Sequence, residues 1–116
     1  GSKKPRTVKA GEWTDFALDM APPGGGWKKG GVLRVQSNGP MKKCQIAARF
    51  NGSVLKPAEN VSEPYAGPYS QLLGAADTLR AWIVPAKLLR NGRNRIELTL
   101  EKGGSVELVF LDLAVG

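Results

Sequence analysis

Apolar and polar residues alternate along most of this chain with a period of two, and no stretch keeps the 3.6-residue period of a helix. Between Glu12 and Met20, Phe16, Leu18 and Met20 fall on one side while Asp15, Ala17 and Asp19 fall on the other. Leu33 and Val35 alternate with Arg34 and Gln36. Cys44, Ile46, Ala48 and Phe50 alternate with Gln45, Ala47 and Arg49. Asn51-Gly52 follows directly. Both residues tolerate positive φ, so they predict a type I′ hairpin into Val54-Leu55. Leu79–Val84 predicts a further strand, as does the alternation of Ile96, Leu98 and Leu100 with Arg95, Glu97, Thr99 and Glu101. After Lys102-Gly103-Gly104, a last strand runs from about Val106 to Val115. Its apolar parity shifts near Val109, which predicts a bulge or a crossing between sheets. Seven or so short strands at this spacing predict an all-β fold, an antiparallel β-sandwich.

Two stretches break the alternation. Residues 21–31 hold Pro22-Pro23 and five glycines around Trp27, too little rigidity for a regular element. Residues 56–77 read as a long loop carrying Pro57, Pro64, Gly67, Pro68 and Gly74, with a helical turn expected around Ser70 to Ala76. A compact domain seldom keeps so long a loop without a use for it.

Composition narrows the chemistry. The 116 residues suit one domain, and 41% apolar with 23% charged residues is globular composition. No apolar run reaches the roughly 20 residues of a membrane-spanning helix, so no membrane is expected as a partner. The single Cys44 excludes an internal disulfide. The absence of His removes His-containing zinc sites and the usual general base. Net charge is +7, but Lys3, Lys4, Arg6 and Lys9 stand among the first nine residues. Gly1-Ser2 reads as a cleavage scar. Residues 1–10 are therefore expected to be scar and linker, and 11–116 a single sandwich domain carrying +3.

The run Trp82-Ile83-Val84-Pro85-Ala86-Lys87-Leu88-Leu89-Arg90-Asn91-Gly92-Arg93-Asn94-Arg95-Ile96 has a mechanical reading. A strand ends at Pro85, one helical turn returns Leu88 and Leu89 to the core, and Asn91-Gly92 closes the turn before the next strand. Asn94 is expected to bond local backbone as a turn residue. This connection resembles that of galactose-binding-like jelly rolls, with the RFNGSVL hairpin and the closing VELVFLDLAV strand in matching places. Such domains occur as carbohydrate-binding modules and as accessory domains of glycoside hydrolases. The resemblance implies a jelly roll, polysaccharide binding and, in some members, a structural calcium ion. It covers most of residues 11–116.

Sugar recognition needs flat apolar faces and fixed polar groups. Trp27, between glycines and Lys28-Lys29, is the first candidate platform. Tyr65 and Tyr69, framed by Pro64 and Pro68, are the next. Trp82 shares parity with Arg80 and Val84, so it is expected either on a sheet face or packed under the long loop. Arg34, Arg49 and Arg80 fall on the apparent solvent side of their strands. If those strands neighbour one another, they form a basic face able to grip uronates or sulfates; otherwise they are a solvated strand face. Glu12 and Asp112 are the pair that could meet around a calcium ion, against the plainer expectation of no cofactor. Glu59 and Glu63 share a loop, but no carboxylate pair has the spacing of a catalytic dyad. Asn51-Gly52-Ser53 and Asn60-Val61-Ser62 fit the glycosylation pattern, the first being better explained by its hairpin.

The expected function is a non-catalytic carbohydrate-binding module of a larger secreted, extracellular or periplasmic protein. Its partners would be a polysaccharide, acidic glycans among them, and the parent's catalytic domain. The ligand-binding residues would be Trp27, Lys28, Arg49, Tyr65, Tyr69, Arg80 and Trp82. A structural sandwich that packs on a parent enzyme without binding sugar is the alternative. Nucleic-acid binding through the basic tail is the lesser one.

Overall fold

In this computed structural model the described residues are 6–22, 24, 26, 27, 29–39, 41, 44–58 and 78–115. Nine strands run through them: β1 (Arg6–Lys9), β2 (Thr14–Met20), β3 (Gly31–Ser37), β4 (Gln45–Phe50), β5 (Ser53–Val54), β6 (Lys56–Pro57), β7 (Leu79–Val84), β8 (Gly92–Lys102) and β9 (Ser105–Val115). Sheet A has the order β1-β9-β3-β7-β6, and sheet B the order β2-β8-β4-β5. All strand pairs are antiparallel. The chain is an all-β sandwich, as its alternation predicts.

The core lies between the inner faces. Sheet A contributes Val8, Leu33, Val35, Trp82, Val84, Val106 and Leu108; sheet B contributes Ile46, Ala48, Phe50, Ile96, Leu98 and Leu100. Burying a side chain such as Phe50 or Ile96 stabilises the sandwich by about 1.5–3 kcal/mol. Opposite the core, β2 and β8 place Asp15 across from Glu97, Ala17 from Arg95 and Asp19 from Arg93. That charged row becomes the outer face of sheet B.

Three local devices set the geometry. Asn51 and Gly52 both have positive φ (50° and 89°), the backbone demanded by a tight hairpin. The parity shift in β9 is a bulge: Gln36 pairs with Phe110 but Ser37 with Leu108, so Val109 is the extra residue. Val106 and Leu108 point inward before it, Leu111 and Leu113 after it. Finally, β5 belongs to sheet B and β6 to sheet A, so the chain changes sheets at buried Leu55, whose N–H donates to Ala48 O at 2.9 Å.

Between β7 and β8 a 3-10 turn covers Ala86–Leu88, with Leu89 buried behind it. Asn94 is fully buried. Its Oδ1 accepts from Arg90 N–H (2.9 Å), and its Nδ2 donates to Arg90 O (2.9 Å) and Gly92 O (3.2 Å). This is the turn-fixing role expected of it.

Two boundaries differ from expectation. Arg6–Lys9 is not linker: β1 pairs with β9, and Val8 is fully buried because its side chain completes the core beside Val106. Lys56-Pro57 is likewise not loop but the edge strand of sheet A.

Candidate functional site

Trp13 immediately precedes β2 and has the parity of Asp15, Ala17 and Asp19, so it lies on the outer face of sheet B. It stays 39% exposed. From β4, two strands away, Arg49 brings its guanidinium carbon to 3.7 Å from the centre of the Trp13 ring. This cation–π contact holds the indole across the sheet. Beneath the pair, on β8, Glu97 and Thr99 are buried although they point away from the core.

A ladder of charges continues along the face. Arg49 Nη2 donates to Glu97 Oε2 at 2.9 Å, while its Nε is shielded and has no partner among the described residues. Arg95 reaches the same Glu97 oxygen at 3.4 Å and donates to both oxygens of Asp15 at 3.1 Å. The bond to Asp15 and the charges of Asp15 and Glu97 hold Arg95 above its ordinary pKa, so it is a permanent cation. Beyond it, Arg93 faces Asp19 at 3.9 Å with both side chains in solvent.

Arg6, on neighbouring β1, donates from Nη2 to Asp15 O (2.8 Å) and lies 4.6 Å from the centre of the Phe16 ring. Arg6, Asp15, Phe16, Ala17, Arg93 and Arg95 line a shallow groove of about 420 Å³. The face therefore offers an indole at one end, paired donors and acceptors in the middle and a guanidinium-lined groove at the other.

The expected site residues fare differently. Trp27 does not stand free: it is half-buried and packs against the core, because an indole in so apolar a surrounding gains more by folding back than by facing water. Trp82 is 2% exposed and faces the core opposite Leu33, which corrects its placement on an open sheet face. Arg80 pairs with Val35 and has the inward parity. Its guanidinium turns to the rim, donating to Leu79 O (2.8 Å) and Met41 O (2.9 Å). Arg80 and Trp82 meet along a cleft of about 460 Å³ whose walls include Cys44, Ile46, Leu55 and Leu79. Lys28, Tyr65, Tyr69, Glu59, Glu63 and the turn expected at 70–76 lie outside the described residues.

Arg34, Arg49 and Arg80 do not share a face. Arg34 sits opposite Ala81 on the outer side of sheet A, Arg80 one residue out of phase with it, and Arg49 belongs to the other sheet. Asp112, one of the two carboxylates considered for an ion, is paired with Arg34, and among the described residues no group of three His, Cys, Asp or Glu side chains gathers.

Trp13 and Arg95 belong to the site although neither is among the candidates that the sequence singles out. Extending the Asp15–Ala17–Asp19 parity back by one step marks Trp13 as an aromatic on a polar face, and that signal was present in the chain. No protein-family model matches the chain, and no protein of curated function is detectably similar to it in sequence.

Proposed function

We propose that this chain is a non-catalytic glycan-binding module of a larger secreted carbohydrate-active protein, and that the outer face of sheet B is its site. The observation that carries this reading is the exposed Trp13 indole, braced by Arg49 and continuous with the Asp15–Arg95–Glu97 ladder. An indole stacks on the C–H-rich face of a pyranose, and fixed carboxylates and guanidinium groups bond its hydroxyls. These charged groups are paired with one another rather than set apart as an acid and a base, which supports binding over catalysis. The galactose-binding-like jelly-roll reading is supported by the two antiparallel sheets and by the β7–β8 connection, with its 3-10 turn and buried Asn94.

Affinity electrophoresis against a panel of neutral and acidic polysaccharides tests the reading. Retardation by at least one glycan is expected. It should vanish in Trp13→Ala, with the folded far-UV spectrum and melting temperature retained. If no glycan retards the protein, or if Trp13→Ala is retarded like the parent, the reading falls.

One observation favours the structural accessory role as a second reading. Val54 (75% exposed) and Ile83 (52%) line, with Leu55, Pro85 and Leu88, a groove of about 340 Å³ rimmed by Lys56 and Lys87. Such an apolar patch suits a neighbouring domain of the parent protein. The pair Val54→Ser and Ile83→Ser should then lower the melting temperature of the parent protein more than that of the isolated module. Equal lowering in both removes this reading.

A further inference from the structure

Arg6, Arg93 and Arg95 converge on one groove from two strands, against a single carboxylate, Asp15, in its lining. Their charges are not equally spent. Arg95 is bonded to Asp15 through both carboxylate oxygens. Arg93 has only Asp19 at 3.9 Å, and both side chains are about four-fifths exposed, an arrangement worth little in water. Arg6 is held by a backbone carbonyl and the Phe16 ring, and it has no ion pair among the described residues. Arg6 is thus held in place while Arg93 extends into solvent, the charge of each still to be met, and Phe16 and Ala17 complete the lining of the groove at the edge of β2.

Asp15 and Arg95 belong both to this groove and to the Trp13 face. Outer residues of a strand recur every ~6.8 Å, so the rows of Thr99, Glu97, Arg95 and Arg93 on β8 cover about 20 Å. We propose that the glycan is anionic, carrying uronic-acid carboxylates or sulfate esters, and that it lies along β2 and β8 with one sugar ring on Trp13 and the charged substituent of another sugar in the Arg6–Arg93–Arg95 groove. The inference rests on the glycan-binding reading and names its ligand class. Guanidinium groups pair bidentately with carboxylate and sulfate alike, so the geometry favours either anion over a hydroxyl. A neutral glycan would leave Arg6 and Arg93 unmet.

The test uses three probes: polygalacturonate for carboxylates, dextran sulfate for sulfate esters, and dextran as the neutral control. The variants are Trp13→Ala and the double change Arg6→Ser with Arg93→Ser. At least one acidic probe should bind in a salt-sensitive way, and dextran weakly or not at all. The double serine variant should lose about tenfold in affinity for that probe while remaining folded by thermal melt. Preference for polygalacturonate or for dextran sulfate identifies the anion, and either supports the inference. Undiminished binding of acidic probes by the double serine variant overturns it, because the attraction would then come from elsewhere on a basic chain. Binding of neutral glycans alone, lost in Trp13→Ala and indifferent to the serines, also overturns it and leaves the glycan-binding reading standing. If nothing binds, the reading itself has failed and the inference with it.

Discussion

Arg34 on β3 and Asp112 on β9 occupy paired register positions on the outer face of sheet A, and Arg34 Nε donates to Asp112 Oδ1 at 2.7 Å, with Nη2 bonded to the other oxygen. Arg34 is 1% exposed, although it points away from the core. A buried guanidinium costs several kcal/mol to desolvate and is tolerable only while its partner is in place. Asp112→Ala should therefore destabilise the domain by about 2–4 kcal/mol. The paired change Arg34→Met with Asp112→Leu should cost less than Asp112→Ala alone. Urea unfolding of the three proteins checks the order, and a milder Asp112→Ala would show the pair to be dispensable.

Asn51 and Asn94 form a second coupled pair. Asn51 Nδ2 donates to Asn94 Oδ1 (2.9 Å) and to Leu88 O (2.7 Å), and Asn51 Oδ1 accepts from Arg95 N–H (2.8 Å). Removing either amide strands buried groups of the same network, so Asn51→Ala and Asn94→Ala should each cost about 2–3 kcal/mol and add to less than their sum. A double-mutant cycle measures the shortfall.

Asn94→Asp should be worse than Asn94→Ala at neutral pH. A carboxylate there would face Arg90 O and Gly92 O, two acceptors that now receive hydrogen bonds. Burial and those acceptors would raise its folded pKa above the unfolded value. The variant's stability, relative to the parent, should recover below the ordinary Asp range and fall as pH rises from that range through the raised folded pKa. Melting curves across acidic and neutral pH read this directly.

Trp27→Ala should behave as a packing lesion. The side chain lies against the core, so its loss should lower stability by about 2 kcal/mol while the folded protein keeps its glycan retention. A stable Trp27→Ala protein that no longer binds would move the site to the glycine-rich segment.

Two glycines separate space from sequence in that segment. A Cβ on Gly30 would stand 2.1 Å from Val84 O, whereas one on Gly24 would meet nothing within 4 Å. Gly30→Ala should cost about 2–3 kcal/mol through displaced backbone, and Gly24→Ala should stay within about 0.5 kcal/mol of the parent. Thermal melts of the two alanine variants separate them.

The strands β2–β5 and β7–β9, the Asn51-Gly52 turn, the turn role of Asn94 and the bulge at Val109 are legible because each leaves a local signature of period, turn chemistry or broken parity; β1 and β6 are too short to leave one. Which face of a strand is inward was less legible where both faces are apolar. In Leu79–Val84, parity alone does not distinguish Arg80, Trp82 and Val84 from Leu79, Ala81 and Ile83; pairing with Leu33 and Val35 decides it. Arg34 and Arg80 look alike in the sequence because an arginine between apolar neighbours reads as solvated. One is instead buried by an ion pair and the other bends to the rim. The site is hidden in the sequence for a different reason. Trp13, Arg49 and Arg95 come together only through the β2-β8-β4 order, which no single segment encodes.

The extra residue at Val109 lets two halves of β9 that are out of phase in sequence serve the same core. Leu108 pairs with Ser37 and Phe110 with Gln36, so deleting Val109 would leave every later pairing in place and only straighten the strand. An added residue between Phe110 and Leu111 would act like a frameshift within the strand: if the earlier pairing held, every later side chain would exchange faces. Leu111 and Leu113 would turn to water, and Asp112 would turn toward the core and away from Arg34. One added amino acid would thus undo the apolar layer and the charge pairing together, where most single replacements along β9 would disturb one of them.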